Sequence, residues 1–171
     1  MCGRALAMIE LLAGFPTVAE RALREACEHL QQVREIAVVA TRGAELAAAL
    51  YEQGRYDEAA HWARVARDSA GSDDLDAALT RQPVEAKILA RQGHLAEAER
   101  LARATLGLVE QTDALTRHAD ALLALAEVLE LGGSQQEAEA AVNEALVLYD
   151  KKGSPAAAAR VSARLPTTVR S

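Results

Sequence analysis

Aromatic residues make up only 3% of this 171-residue chain, with one Trp and one Phe, and Val and Ile together number 15. So few β-branched and aromatic residues argue strongly against a β-sheet protein, whose pleated faces are built from those types. Two cysteines, Cys2 and Cys27, cannot supply the disulfide framework of a small secreted domain, so reduced thiols in a cytoplasm are the expectation. Basic residues are outnumbered 19 to 25, leaving a net charge of −6, and no run of Lys or Arg forms a phosphate-neutralising stripe, which argues against nucleic acid as a partner. No apolar run approaches the roughly 18 residues of a membrane span. The apolar opening Ala5–Phe15 is interrupted by Glu10 and is followed by no small-residue cleavage site, so it reads as a helix rather than a signal peptide.

What is abundant is helix-forming: Ala (39), Leu (23), Glu (17), Arg (16) and Lys (3) supply 98 of the 171 residues. Such a composition points to long helices. With 50% hydrophobic and 26% charged residues the chain can bury a core and is not a disordered segment.

Four segments align on a glycine: AGFPTVAERAL at Gly14, QGRYDEAAHWA at Gly54, QGHLAEAERLA at Gly93 and GGSQQEAEAAV at Gly133, spaced by 40, 39 and 40 residues. Alanine stands five residues after every one of them (Ala19, Ala59, Ala98, Ala138) and seven before (Ala7, Ala47, Ala86, Ala126). Eight before the glycine the pattern is Leu6, Leu46, Glu85, Leu125, so the third copy departs. These offsets repeat on one helix face before the glycine and on one face after it. Each copy is therefore a pair of closely approaching antiparallel helices, the glycine ending the first. A single pair cannot bury its apolar face, so the copies must stack.

The fold predicted is all-α, an α-α superhelix of four helix pairs in one domain over residues 1–165. Repeats fall near 1–33, 34–71, 72–112 and 113–152, a capping helix covers 154–165, and 166–171 fray. First helices are expected near 3–13, 36–53, 73–91 and 114–131, second helices near 16–32, 56–70, 95–111 and 135–151. Ser154 is the expected N-cap of the last helix, with Pro155 in its first turn. Pro83 predicts either a kink or a helix that restarts there, and Ser72 or Asp73 is the expected cap of the third first-helix.

This arrangement resembles the tetratricopeptide repeat over nearly the whole chain, most clearly in Gly54-Arg55-Tyr56-Asp57-Glu58-Ala59 and Gly93-His94-Leu95-Ala96-Glu97-Ala98. The period is longer than the usual one of about 34. Gly3, Gly43, Gln82 and Leu122 stand where the family has a large residue early in each first helix. The long-period form is similar to the C-terminal helical-repeat tails of large bacterial signalling proteins, nucleotide cyclases and ATPase-containing transcription regulators. That resemblance implies protein or peptide binding and carries over no catalytic residue.

No phosphate loop, G-x-S-x-G or dinucleotide fingerprint is present, and none of His29, His61, His94 and His118 pairs with Cys or His at metal-ligand spacing. Neither catalytic, metal-binding nor cofactor-binding residues are expected. His94 and Glu97 read as capping or solvated residues, and Tyr56 and Trp62 as packing between helices. In tetratricopeptide-like arrays the first helices line the concave groove. By offset the groove candidates here are Arg4, Met8, Thr41, Ala48, Tyr51, Glu52, Thr80, Lys87, Arg91, Asp120, Glu127 and Glu130. Lys87 and Arg91, one helical turn apart, would meet a carboxylate of a ligand, or Glu127 and Glu130 would neutralise them within the chain. The Lys/Asn clamp that some members use for C-terminal carboxylates has no counterpart at the corresponding offsets.

The leading expectation is a scaffold module for a protein or peptide partner. The alternative is a sensory or regulatory C-terminal segment of a larger bacterial signalling enzyme or transcription regulator, distinguished by whether an upstream domain exists. A first helix confined to 3–13 favours a cut fragment, and would leave Leu6 and Ile9 open to self-association.

Overall fold

The structure, a computed structural model, describes residues 16–71 and 74–154 together with 157, 159 and 161. Among these there are seven α-helices and no strand: α1 (Pro16–Gln32), α2 (Ile36–Glu52), α3 (Tyr56–Ser69), α4 (Leu75–Arg91), α5 (Leu95–Val109), α6 (Leu115–Leu131) and α7 (Gln135–Lys152). Each matches its predicted span to within two residues. The expected helix 3–13, with Arg4, Met8, Leu6 and Ile9, lies outside the described residues, as do Ser72, Asp73 and the tail 166–171. Of the expected capping helix, Ala157, Ala159 and Val161 are described and are helical, with Ala157 and Val161 buried.

The turn glycines do what their spacing requires. Gly54, Gly93 and Gly133 have φ of 74°, 86° and 84°. At each, the glycine N–H and the next N–H close back onto the helix: Gly93 donates to Ala90 and His94 to Leu89, both at 3.0 Å. This is the Schellman arrangement, in which a left-handed residue satisfies the last carbonyls. The end of α1 has the same bonds with Arg34, at φ 59°, in the glycine's place.

Two local expectations are corrected. Asp74, not Ser72 or Asp73, caps α4, accepting the Ala77 N–H at 2.9 Å, and the helix starts at Leu75. Nor does α4 restart at Pro83: it runs unbroken from Leu75 to Arg91 with Pro83 inside. The proline removes the donor for the Leu79 carbonyl. Burial of Leu79, Val84, Ile88 and the alanines on either side of it holds the helix together across that gap.

Neighbouring helices pack in a regular way. Helices α2 and α4 touch, as do α4 and α6, while α3 packs on α2 and α4, and α5 on α4 and α6. The alanines repeated in every copy are the contact surfaces: Ala47, Ala86 and Ala126, and Ala19, Ala59, Ala98 and Ala138, are all buried. Gly43 extends this logic, since a Cβ there would sit 3.4 Å from both the Ala66 Cβ and the Trp62 carbonyl. A residue without a side chain on α2 lets α3 approach and bury Trp62 between the helices, as the sequence reading expected.

The buried side chains fall into two large clusters that meet at α4. One joins α1, α2 and α3 to Val84 and Ile88; the other joins Ala86 and Ala90 to α5, α6 and α7. Val84/Ile88 and Ala86/Ala90 are each one helical turn apart, so α4 presents separate stripes to the two halves.

Candidate functional site

Side chains from the C-terminal halves of α2, α4 and α6 come together on one face. Five of the groove candidates meet there: Tyr51 and Glu52 from the last turn of α2, Lys87 and Arg91 from α4, and Glu127 from α6. The Tyr51 hydroxyl donates to Glu127 Oε1 at 2.5 Å and accepts from Arg91 Nε at 2.7 Å. Arg91 Nη2 donates to the same Glu127 oxygen at 2.9 Å. Lys87 Nζ lies 3.3 Å from Glu52, 3.7 Å from Glu127 and 4.2 Å from the Tyr51 ring centre.

Tyr56, at the start of α3, completes the group. Its ring lies 5.1 Å from that of Tyr51, and the Arg91 guanidinium sits 4.9 Å from its centre. As the sequence reading expected in favouring packing between helices over ligand stacking, Tyr56 also packs against the apolar cluster of α1, α2 and α3. The signal that places it here is its position two residues after the turn glycine, at the rim shared with the next repeat.

Two cations and two carboxylates balance, so the cluster is electrically neutral in itself. Burial, and then the hydrogen bond to Glu127, push the Tyr51 hydroxyl above its ordinary range. Hydrogen bonds to Tyr51 and Glu127 make Arg91 hold its proton more tightly than usual. These bonds tie Tyr51, Arg91 and Glu127 into one charge-balanced group.

Beside it lies an open depression of about 390 Å³, lined by Tyr56, Ala90, Arg91, Gly93, Leu95 and Leu131. Leu95 and Leu131 are among the exposed large apolar residues.

The remaining candidates take no part in this cluster. Thr80 donates to the Asp76 carbonyl at 2.8 Å, near the Arg117–Asp76 ion pair. Asp120 accepts from the buried Tyr149 hydroxyl. Thr41 and Ala48 are half-buried on α2, and Glu130 is exposed on α6, so of the two carboxylates expected to neutralise the cations only Glu127 does so. Arg4 and Met8 lie outside the described residues.

Three polar features went unread in the sequence. Glu85, the departure at a leucine position, is buried and bound by Arg67, 2.5 Å away, and by Arg81. Glu45 is buried too and pairs with Arg42 at 2.5 Å. On the outer helices Arg24 pairs with Glu58 at 3.3 Å and Arg103 with Glu137 at 2.9 Å. Both of these last pairs join the tenth residue after one turn glycine to the fourth after the next, a repeat visible in the sequence itself.

Among the described residues no three His, Cys, Asp or Glu side chains are grouped to hold a metal ion, and no helix is long and apolar enough to cross a membrane. His94, the N-cap of α5, makes no side-chain capping bond and is exposed along with Glu97. The chain matches no family model, and no curated protein is significantly similar to it.

Proposed function

We propose that this chain is an interaction module without catalysis of its own: an α-α superhelix built on the plan of tetratricopeptide arrays, binding a protein or peptide segment along the face formed by α2, α4 and α6. One observation carries the reading. Side chains from three successive first helices, Tyr51, Lys87, Arg91 and Glu127, converge on a single patch of that face. Stacked helix pairs generate such composite surfaces because neighbouring repeats lay their first helices side by side. The regular packing of α2, α4 and α6, and the 39–40 residue spacing of the turn glycines, support the superhelical plan.

Site-specific photo-crosslinking in the cells that make the protein tests it. A photoreactive residue at Ala48 or Glu130 samples the proposed face, and one at Arg64 or Glu144 samples the outer helices. Protein adducts from the first pair alone are expected. Adducts from the outer positions only, or from none, would overturn the reading.

A further inference from the structure

The cationic patch on this face is already occupied, and its occupant belongs to the chain. Glu127 Oε1 receives both the Tyr51 hydroxyl and Arg91 Nη2, while its other oxygen lies 3.7 Å from Lys87. Two hydrogen-bond donors and one ammonium from two helices are thus arranged around one carboxylate, an arrangement that favours an anionic, acceptor-only group. The carboxylate is not locked in. Its side chain is partly exposed and hangs on the rotatable stem of a surface glutamate, so it can swing into water. Arg91, partly exposed as well, keeps its Nη1 without a partner among the described residues.

Next to Arg91, the depression lined by Leu95, Leu131 and Tyr56 offers apolar surface to solvent. Its volume of about 390 Å³ suits a large apolar side chain or two. A carboxylate site and an apolar pocket sharing one arginine specify a ligand that carries both groups side by side.

We infer that Glu127 is an internal latch, and that this patch receives an extended acidic segment of a partner protein whose Asp or Glu displaces Glu127 from Arg91 and Lys87. The large apolar residue next to that carboxylate fills the pocket beside Arg91. The inference rests on the interaction-module reading and names the partner's chemistry. With Glu127 released, Lys87 keeps its contact with Glu52 while Arg91 loses its ion-pair partner, and the incoming carboxylate restores the balance. Displacement also breaks the one side-chain hydrogen bond that, among the described residues, runs directly from α2 to α6, so binding loosens the link between the two helices that flank α4.

The probe is an acetylated, amidated heptapeptide with a Leu-Glu-Leu centre, compared with one carrying Leu-Gln-Leu, on the full chain. Binding is followed by the NMR signal of the Arg91 Nε–H, which the Tyr51 bond shelters from exchange. The acidic peptide is expected to shift it and the neutral one is not. Glu127→Gln removes the competitor and should tighten binding about fivefold, whereas Glu130→Gln, the same charge change on an exposed neighbour, should alter it less than about twofold. Arg91→Lys keeps the charge but loses the fork, and should weaken binding. Absence of binding, equal binding of both peptides, or unchanged or weaker binding to Glu127→Gln overturns the latch. If crosslinks still form at Ala48 in that event, the interaction reading stands without it; if none form anywhere, the reading itself has failed.

Discussion

Glu85 offers the sharpest test of the packing argument. It occupies the offset where α2 has Leu46 and α6 has Leu125, and it is as buried as they are, 5% exposed against 0% and 4%. Its two partners are unequal: the Arg67 side chain is 57% exposed, that of Arg81 only 13%. Glu85→Leu frees Arg67 into water at little cost. Arg81 has no such escape, and its buried Nε already lacks a hydrogen-bond partner among the described residues. Stranding one member of a buried pair costs about 3–5 kcal/mol, and the new leucine recovers about 1.5–3 by apolar burial. The single variant should therefore lose about 2 kcal/mol. Adding Arg81→Ala copies the solution of α6, where Ala121 and Leu125, both buried, stand at these offsets. That double variant should equal or exceed the wild type, since well-packed apolar replacements of buried ion pairs are often neutral to stabilising. Urea unfolding followed by helical circular dichroism reads the difference, a shift of about 1 M in midpoint for the single variant. A single variant more stable than wild type, or a double variant less stable than the single, would refute the reasoning.

Three further outcomes are expected. Trp62→Ala, which empties the space opposite Gly43, should cost about 3–5 kcal/mol, and an unaltered urea midpoint would contradict the burial argument. Burial pushes the Cys27 thiol up to about 12 from 9.0, so in a Cys2→Ser background it should resist iodoacetamide at pH 8 and react freely once urea unfolds the chain; prompt labelling of the folded protein would count against this. Burial works against ionising Glu20, but hydrogen bonds from Arg24, Gln53 and Arg55 outweigh it, and the Arg55 bond lowers Glu58 as well. Carboxylates lowered by folding contribute stability that is present above their ordinary value of 4.5 and is lost as pH falls below it. The urea midpoint should accordingly hold from pH 7 to 5 and drop toward pH 3, with Arg55→Gln blunting the drop; a midpoint that rises toward pH 3 would contradict the assignment.

The helices and their boundaries were legible because the sequence states them twice, once in the turn glycine and again in the alanines on both sides of it. Where it states them only once, reading was poorer. The loop before α4 holds Ser72, Asp73 and Asp74, three good caps in a row, and only the backbone decides that Asp74 is used. Pro83 was judged by local propensity, which tertiary burial of α4 overrides. Within the site, the facing of Lys87 and Arg91 followed from helical spacing. The bond from Tyr51 to Glu127 did not, because it crosses 76 residues and depends on how far α2 and α6 lean together over α4. No periodicity within a helix encodes that lean. The outer ladder of Arg24–Glu58 and Arg103–Glu137 is the converse case: its offsets repeat between neighbouring copies, so a comparison of charges across copies, rather than of apolar positions, would have found it.

The placement of the polar chemistry has a physical logic centred on α4. This helix contributes Val84 and Ile88 to one apolar cluster and Ala86 and Ala90 to the other, so the two halves of the described chain join through its two stripes. Alanine stripes bury little area per residue and fix helix register weakly, since small side chains slide past one another without interlocking. Directional bonds supply the missing specificity. Glu85 ties α4 back to α3 through Arg67, and Lys87 and Arg91 tie it to α2 on one side and to α6 on the other. These residues lie within two turns of one helix, on both sides of its apolar stripes. The same bonds that set the register of α4 therefore make up the patch on which a ligand would act. A carboxylate that takes Glu127's place there alters the contacts of α4 with α6 while leaving those of Glu85 with α3 intact, so any rearrangement on binding should concentrate in α6 and α7 rather than in α2 and α3.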